Sequence, residues 1–256
     1  MGRFSLLLFL FSFKISFGQV NTELKTVHVF VALCDNVNQG IVPVPSKLGN
    51  GQDPRNNLYW GAMYGVKSYF KRSKDWTLIS VRTDVSSFVL EQLLFKHNIY
   101  NTYLLADAYD GKYIKQATID FLEATAGRNT KTIKHNGVVL KFGGASNLLA
   151  YAGHDGLMEF NVEGEFSAVN DNKRDAIVLA CVSKNYFKPY LEKTKVNPLV
   201  WSTGLMAPEA YTLKWAIDGW VLNETDIQIR ERASQAYNHY QKCGIRGARN
   251  LLVTGM

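Results

Sequence analysis

The chain has 256 residues and a mass of 28.8 kDa; 46% of its residues are hydrophobic, 12% aromatic and 20% charged. This is ordinary globular composition, and it excludes a disordered chain, a collagen, a coiled coil and a disulfide-dense mini-protein. Lys and Arg number 29 against 22 acids, a formal charge of +7, an excess that bears on partners and solubility rather than on fold.

The first eighteen residues read as a secretory leader. Arg3 supplies a positive start, Phe4 to Phe13 is an apolar run broken only by serines, and Ser16-Phe17-Gly18 offers small residues before Gln19. That succession is what a signal peptidase reads. Lys14 interrupts the run well short of the roughly 20 apolar residues needed to cross a bilayer. Export to the periplasm or the medium is therefore expected, with no membrane span once the leader is removed. Its removal takes Arg3 and Lys14 and no acid, so +7 falls to +5. The mature chain has neither a Lys/Arg run nor a nucleic-acid-binding signature, and no nucleic-acid partner is expected.

From residue 19 onward a single domain alternating strands and helices is expected. Val27 to Leu33 is apolar on both faces, as a buried central strand is. A Gly/Pro/Asn-rich loop follows to Asn57. Leu58 to Phe70 has helical spacing, Trp76 to Val81 reads as a strand, and Ser86 to His97 reads as a helix. Thr102 to Ala106 is a third strand. Lys112 to Ala126 is an amphipathic helix stopped by Gly127. A hairpin over 130–144 turns at Asn136-Gly137, a favoured two-residue turn. Strands follow at Asn147 to Ala152, Asp175 to Cys181 and Pro198 to Ser202. Helices are expected at Asn185 to Glu192, at Pro208 to Trp220 with proline in the first turn, and at Thr225 to Tyr240. The pattern predicts an α/β fold with a mainly parallel six-stranded sheet and helices on both faces. In such sheets ligands bind beyond the carboxyl ends of the strands.

Two strand ends carry chemistry. NLLAYA is followed by Gly153-His154-Asp155-Gly156, and AIVLA by Cys181-Val182-Ser183. A cysteine nucleophile needs a base or cation to supply thiolate, and imidazole suits that task. It also needs backbone N–H groups to hold the oxyanion. Residues just past neighbouring parallel strands, about 4.8 Å apart, can reach each other.

The segments NLLAYAGHDG and DAIVLACVSKNYF resemble the caspase-like cysteine peptidases, the group of caspases, metacaspases, legumain and gingipains. In that family one apolar strand ends in His-Gly and a second ends in Ala-Cys or similar. YLLADAYDGKYIKQATIDFLEATAG is similar to the strand, loop and helix that precede the histidine strand there. The resemblance spans about residues 25–205 at the level of topology and some twenty residues at the level of motif. It implies a caspase-like fold and an exported thiol peptidase, a hydrolase acting on a peptide or protein. Cys181 would be the nucleophile and His154 its partner, with the N–H of Cys181 and that of Gly156 or Asp155 in the oxyanion hole. It implies no metal or organic cofactor for the chemistry, though parts of the family depend on calcium. Asp155 departs from the family, standing between the histidine and its glycine. That departure leaves open a catalytically silent caspase-like binding or scaffold domain. A doubly wound hydrolase or small-ligand binder carrying the motif by chance is a third possibility.

Other residues have plainer readings. Cys34 also ends a strand, but Asp35 beside it disfavours thiolate, and a structural role is expected. Cys243 lies near the tail. No CxxC or HExxH occurs. His28, His97, His135 and His239 have no paired nucleophile. The resemblance makes the loop after the first strand a wall of the specificity pocket, with Asp35, Asp53 and Arg55 as candidates for reading a charged side chain. Gly49 to Arg55 lacks the endings of nucleotide-binding loops. Trp201, Met206 and Tyr211 are core or an apolar cleft wall.

Overall fold

A computed structural model describes residues 23–83 and 85–256; the leader expected over 1–18 lies outside them. The molecule is α/β, built on a large, mostly parallel mixed sheet. Five parallel strands form its centre: β1 (Lys25–Ala32), β4 (Thr102–Tyr109), β7 (Leu148–Ala152), β8 (Asp175–Leu179) and β9 (Asn197–Ser202). Beyond β4 lie β3 (Val89–His97) and then β2 (Trp76–Thr83). Beyond β9 lies the short antiparallel β10 (Leu252–Val253). The order across the sheet is β10-β9-β8-β7-β1-β4-β3-β2.

The sheet thus has eight strands where six were expected. Ser86 to His97 is the main correction. Its Leu, Glu, Gln and Lys favour a helix, yet 89–97 is a strand hydrogen-bonded to both β2 and β4. Pairing on both edges outweighs a local preference worth tenths of a kcal/mol per residue. Two of its buried polar residues have partners within the fold: Glu91 accepts from Lys67 at 2.6 Å and from the Trp60 indole, and Gln92 donates to Asp107 at 2.7 Å. The other addition, β10, is only two residues long and leaves no periodic trace in the sequence.

Helices cover both faces, as the alternation of side chains along a strand requires. Val27, Val29 and Val31 of β1 face a core shared with α1 (Val66–Arg72), α4 (Ala210–Val221) and α5 (Asp226–Gln241). Phe30 and Ala32 face the opposite core, under α2 (Ile114–Thr125) and α3 (Ser183–Thr194). There Phe121 packs its ring against Phe30, Tyr151 and Phe187 at centroid distances of 5.9, 5.7 and 5.9 Å. A capping box between Thr225 and Gln228 starts α5. The last helix, α6 (Ile245–Leu251), leads into β10.

The helix expected over 58–70 begins only at Val66. Gly61 and Gly65 lie so close to the backbone of Pro54-Arg55 and of Trp60 that a Cβ would sit 2.0–2.4 Å from main-chain atoms. The chain is folded back on itself there, which a continuous helix forbids. The hairpin strands are β5 (Lys131–His135) and β6 (Val138–Phe142); Asn136 and Gly137 both have positive φ, the two-residue turn that matches strand twist. This hairpin is pinned to the sheet by a buried cluster. Asp107 accepts from His28 at 3.0 Å and from Lys131 at 2.7 Å, while the Gly143 amide donates to His28 Nδ1. Among the described residues no helix is long and apolar enough to cross a membrane.

Candidate functional site

The chain runs from β1 to β4 on one side of the sheet and later returns to β7 on the other. The reversal opens a crevice at the carboxyl ends of β1 and β7, where open α/β sheets bind ligands. Three loops meet there: 33–65 after β1, 153–158 after β7 and 203–209 after β9. They enclose a cleft of about 310 Å3, and both His154 and Cys181 line it.

The sheet register brings these two together. Ala152 pairs with Leu179, and the ladder runs one residue further, with the Gly153 amide donating to Leu179 O at 3.2 Å. His154 and Cys181 therefore each lie two residues beyond a paired position, on strands about 4.8 Å apart. Gly153 makes this exit possible. Its φ is +155°, and a Cβ there would lie 2.8 Å from Ala32 O of the neighbouring strand. Gly153→Ala is expected to destabilise the fold by about 2 kcal/mol through strain and crowding. An unchanged urea midpoint would show that the strand end can shift to make room.

Cys181 is half-buried. Its Sγ lies 3.6 Å from Met206 O and accepts from the Met206 amide at 3.4 Å. Val182 follows in the left-handed region at φ 52°, an uncommon conformation for a β-branched residue, and its amide donates to Gly204 O at 2.8 Å. This bend carries the chain from β8 into α3 and leaves Cys181 on the cleft. The amides of Cys181, Asp155 and Gly156 donate to no acceptor among the described residues.

His154 is buried but for 8% of its surface. Its Nε2 meets Glu159 Oε1 at 2.5 Å, and the same oxygen accepts the Gly40 amide at 2.7 Å. A carboxylate beside Nε2 holds the proton on that nitrogen and leaves the lone pair on Nδ1. Nδ1 has no hydrogen-bond partner among the described residues. Glu159 is the site residue that the sequence did not single out. Its approach to His154 depends on the 3-10 turn Gly156–Met158, which reverses the chain within five residues. A carboxylate five positions after the histidine was the available signal.

Asp155 does not line the cleft. Its side chain is fully buried, with Oδ1 accepting the Leu157 amide at 3.1 Å and Oδ2 left without a partner. Burial pushes its carboxyl up to about 7, against the lowering effect of the Leu157 amide. Gly156 is likewise buried and outside the cleft lining; it opens the turn, packed against the Phe160 ring.

Asp35 and Arg55 are not among the cleft residues either. Asp35 is buried and organises a turn, accepting from the Val37 and Asn38 amides and from the Asn38 and Gln52 side chains at 2.8–3.1 Å. Burial works to raise its pKa, but these donors outweigh it and lower the value. Arg55 is exposed, and its amide donates to Asp53. Cys34 is fully buried; burial, together with Asp35, pushes its thiol up to about 11, the environment of an inert sulfur. Cys34 is positioned by Asn57, which exchanges hydrogen bonds with its backbone N–H and C=O. None of the three cysteines is bridged. Met206 lines the cleft, whereas Trp201 and Tyr211 are core. Compared with known proteins, the chain matches no family, no curated sequence and no solved structure.

Proposed function

We propose that the protein is an exported cysteine endopeptidase of the caspase-like kind, working through His154 and Cys181. The observation that carries this reading is the shared cleft: a thiol and an imidazole at equal offsets past adjacent parallel strands, both on one cavity wall. In the proposed cycle His154 Nδ1 takes the thiol proton and Cys181 Sγ attacks the scissile carbonyl. The amides of Cys181 and of Gly156 or Asp155 hold the oxyanion. The imidazolium returns the proton to the leaving amine as the C–N bond breaks, leaving a thioester. Water, deprotonated by His154, then releases the acid and restores the thiol. The chemistry is complete with these groups and a peptide substrate.

Iodoacetamide labelling at pH 5.5, followed by peptide mapping, tests the activation of the sulfur. Cys181 is expected to be alkylated well ahead of Cys243, with peptidase activity lost in step. An ordinary thiol, with a pKa near 8.5, reacts slowly at that pH. Equal, slow labelling of both would remove the mechanism.

Glu159 has the place of a positioning residue. Glu159→Gln is expected to lower kcat by about 10-fold or more with little change in KM, because the neutral amide no longer stabilises the imidazolium. A loss confined to KM would assign Glu159 to loop anchoring alone.

A catalytically silent binding domain is the competing reading, and the feature that favoured it was Asp155. With that side chain buried away from the cleft lining, the insertion has no direct contact by which to block a substrate.

A further inference from the structure

The cleft wall carries an unexpected chemistry. Beside His154 and Cys181 it is formed by Ile41, Val42 and Val44 of the first loop, Met158 of the second, and Leu205 and Met206 of the third. No Asp, Glu, Lys or Arg lines it among the described residues. The carboxylates and the guanidinium that the first loop offers in sequence, Asp35, Asp53 and Arg55, all lie outside the lining. Asp35 and Asp53 are engaged in turns of their own loop. Several wall residues are held open to solvent: Val42 is 87% exposed, Leu205 75% and Met158 41%. Three separate loops presenting apolar side chains around one reactive sulfur make a contiguous patch, not scattered surface residues.

We infer that the cleft takes a large uncharged apolar side chain, that of leucine, methionine or phenylalanine, at the residue whose carbonyl Cys181 attacks. This rests on the peptidase reading and names its substrate class. The residue bearing the attacked carbonyl must place its side chain next to Sγ, and the space next to Sγ is this cleft. About 310 Å3 is at the small end of ligand pockets, suited to one side chain and its flanking backbone. A substrate Arg or Lys entering it would give up water and find no free opposite charge, because the nearest carboxylate, Glu159, is already engaged with His154 and the Gly40 amide, which disfavours binding. An apolar side chain gains by covering Val42 and Leu205, which the free protein leaves in water.

The test uses the whole chain and a matched series of tetrapeptide coumarin amides differing only in the residue before the bond. The expected result is at least about 10-fold higher kcat/KM for Leu, Met and Phe than for Arg, Asp and Asn, the scale on which apolar pockets discriminate. Val42→Glu and Leu205→Glu alter exposed positions and should shift the preference toward Arg. Arg or Asp hydrolysed best by the unaltered protein would overturn the inference and leave the peptidase standing. A calorimetric arm separates the two ideas, with Cys181→Ala titrated with the uncleavable leucine and arginine peptide amides. Selective binding of the leucine peptide, with no substrate hydrolysed by the wild type, would sink the peptidase and keep the apolar cleft. No selective binding would overturn the cleft assignment. So would self-association in sedimentation that Val42→Glu abolishes, since a second copy would then be the occupant.

Discussion

Cys181→Ala is expected to abolish peptide hydrolysis, and His154→Gln to lower kcat/KM by about 1,000-fold or more. The double variant should be no worse than Cys181→Ala alone, because groups that act as a unit do not contribute additively. Glutamine suits the histidine position. Its amide can still donate to Glu159, preserving the contact at Nε2, but it offers no nitrogen that accepts and returns a proton. A fall in activity with an unchanged melting temperature would thus belong to chemistry and not to folding. Full activity in either single variant would end the proposal. Additive losses in the double variant would mean that the two residues work in separate places.

The parts of this site that were legible in the sequence share one property: they sit immediately past buried runs. NLLAYA and AIVLA had to be central strands because both faces are apolar, and the residues next in line had to emerge at the sheet's rim. Position along the chain therefore fixed position in space. The roles of loop residues were not legible in this way. Asp35 lies three residues past β1, near the crevice, yet its carboxylate is taken up by four donors of its own loop. Glu159 reaches His154 only because a 3-10 turn intervenes, and such a turn has no strong periodic signal. The apolar character of the cleft was hidden for a related reason. Val42 and Leu205 stand 163 positions apart in the numbering, in loops with no hydrophobic period, and only the strand order brings those loops together. At the level of the fold, Ser86 to His97 misled because its composition suits a helix while β2 and β4 flank it on both edges.

Asp155→Asn is expected to stabilise the protein at pH 8 and to remove a pH dependence that the wild type shows. The unfolded carboxyl titrates near 3.9 and the buried one near 7, so between about pH 4 and pH 7 the folded chain holds a proton that the unfolded chain has released. Folded protein then binds more protons than unfolded, and stability falls as pH rises through that window. The penalty is absent below about pH 4 and fully present above about pH 7, amounting at most to about 4 kcal/mol. Asparagine keeps an oxygen for the Leu157 amide. It places a neutral group where Oδ2 has no partner, at a desolvation cost of about 1–3 kcal/mol. Urea denaturation at pH 4.5 and pH 8 should therefore show a marked loss for the wild type and little for the variant. Parallel curves would mean that the carboxyl is ionised at no cost. The same charge bears on the proposed chemistry, since an ionised carboxyl on the residue that supplies or adjoins the oxyanion-holding amide opposes the developing negative charge. Wild-type kcat should accordingly decline above pH 7 relative to Asp155→Asn, and coincident profiles would separate this buried carboxyl from the reaction.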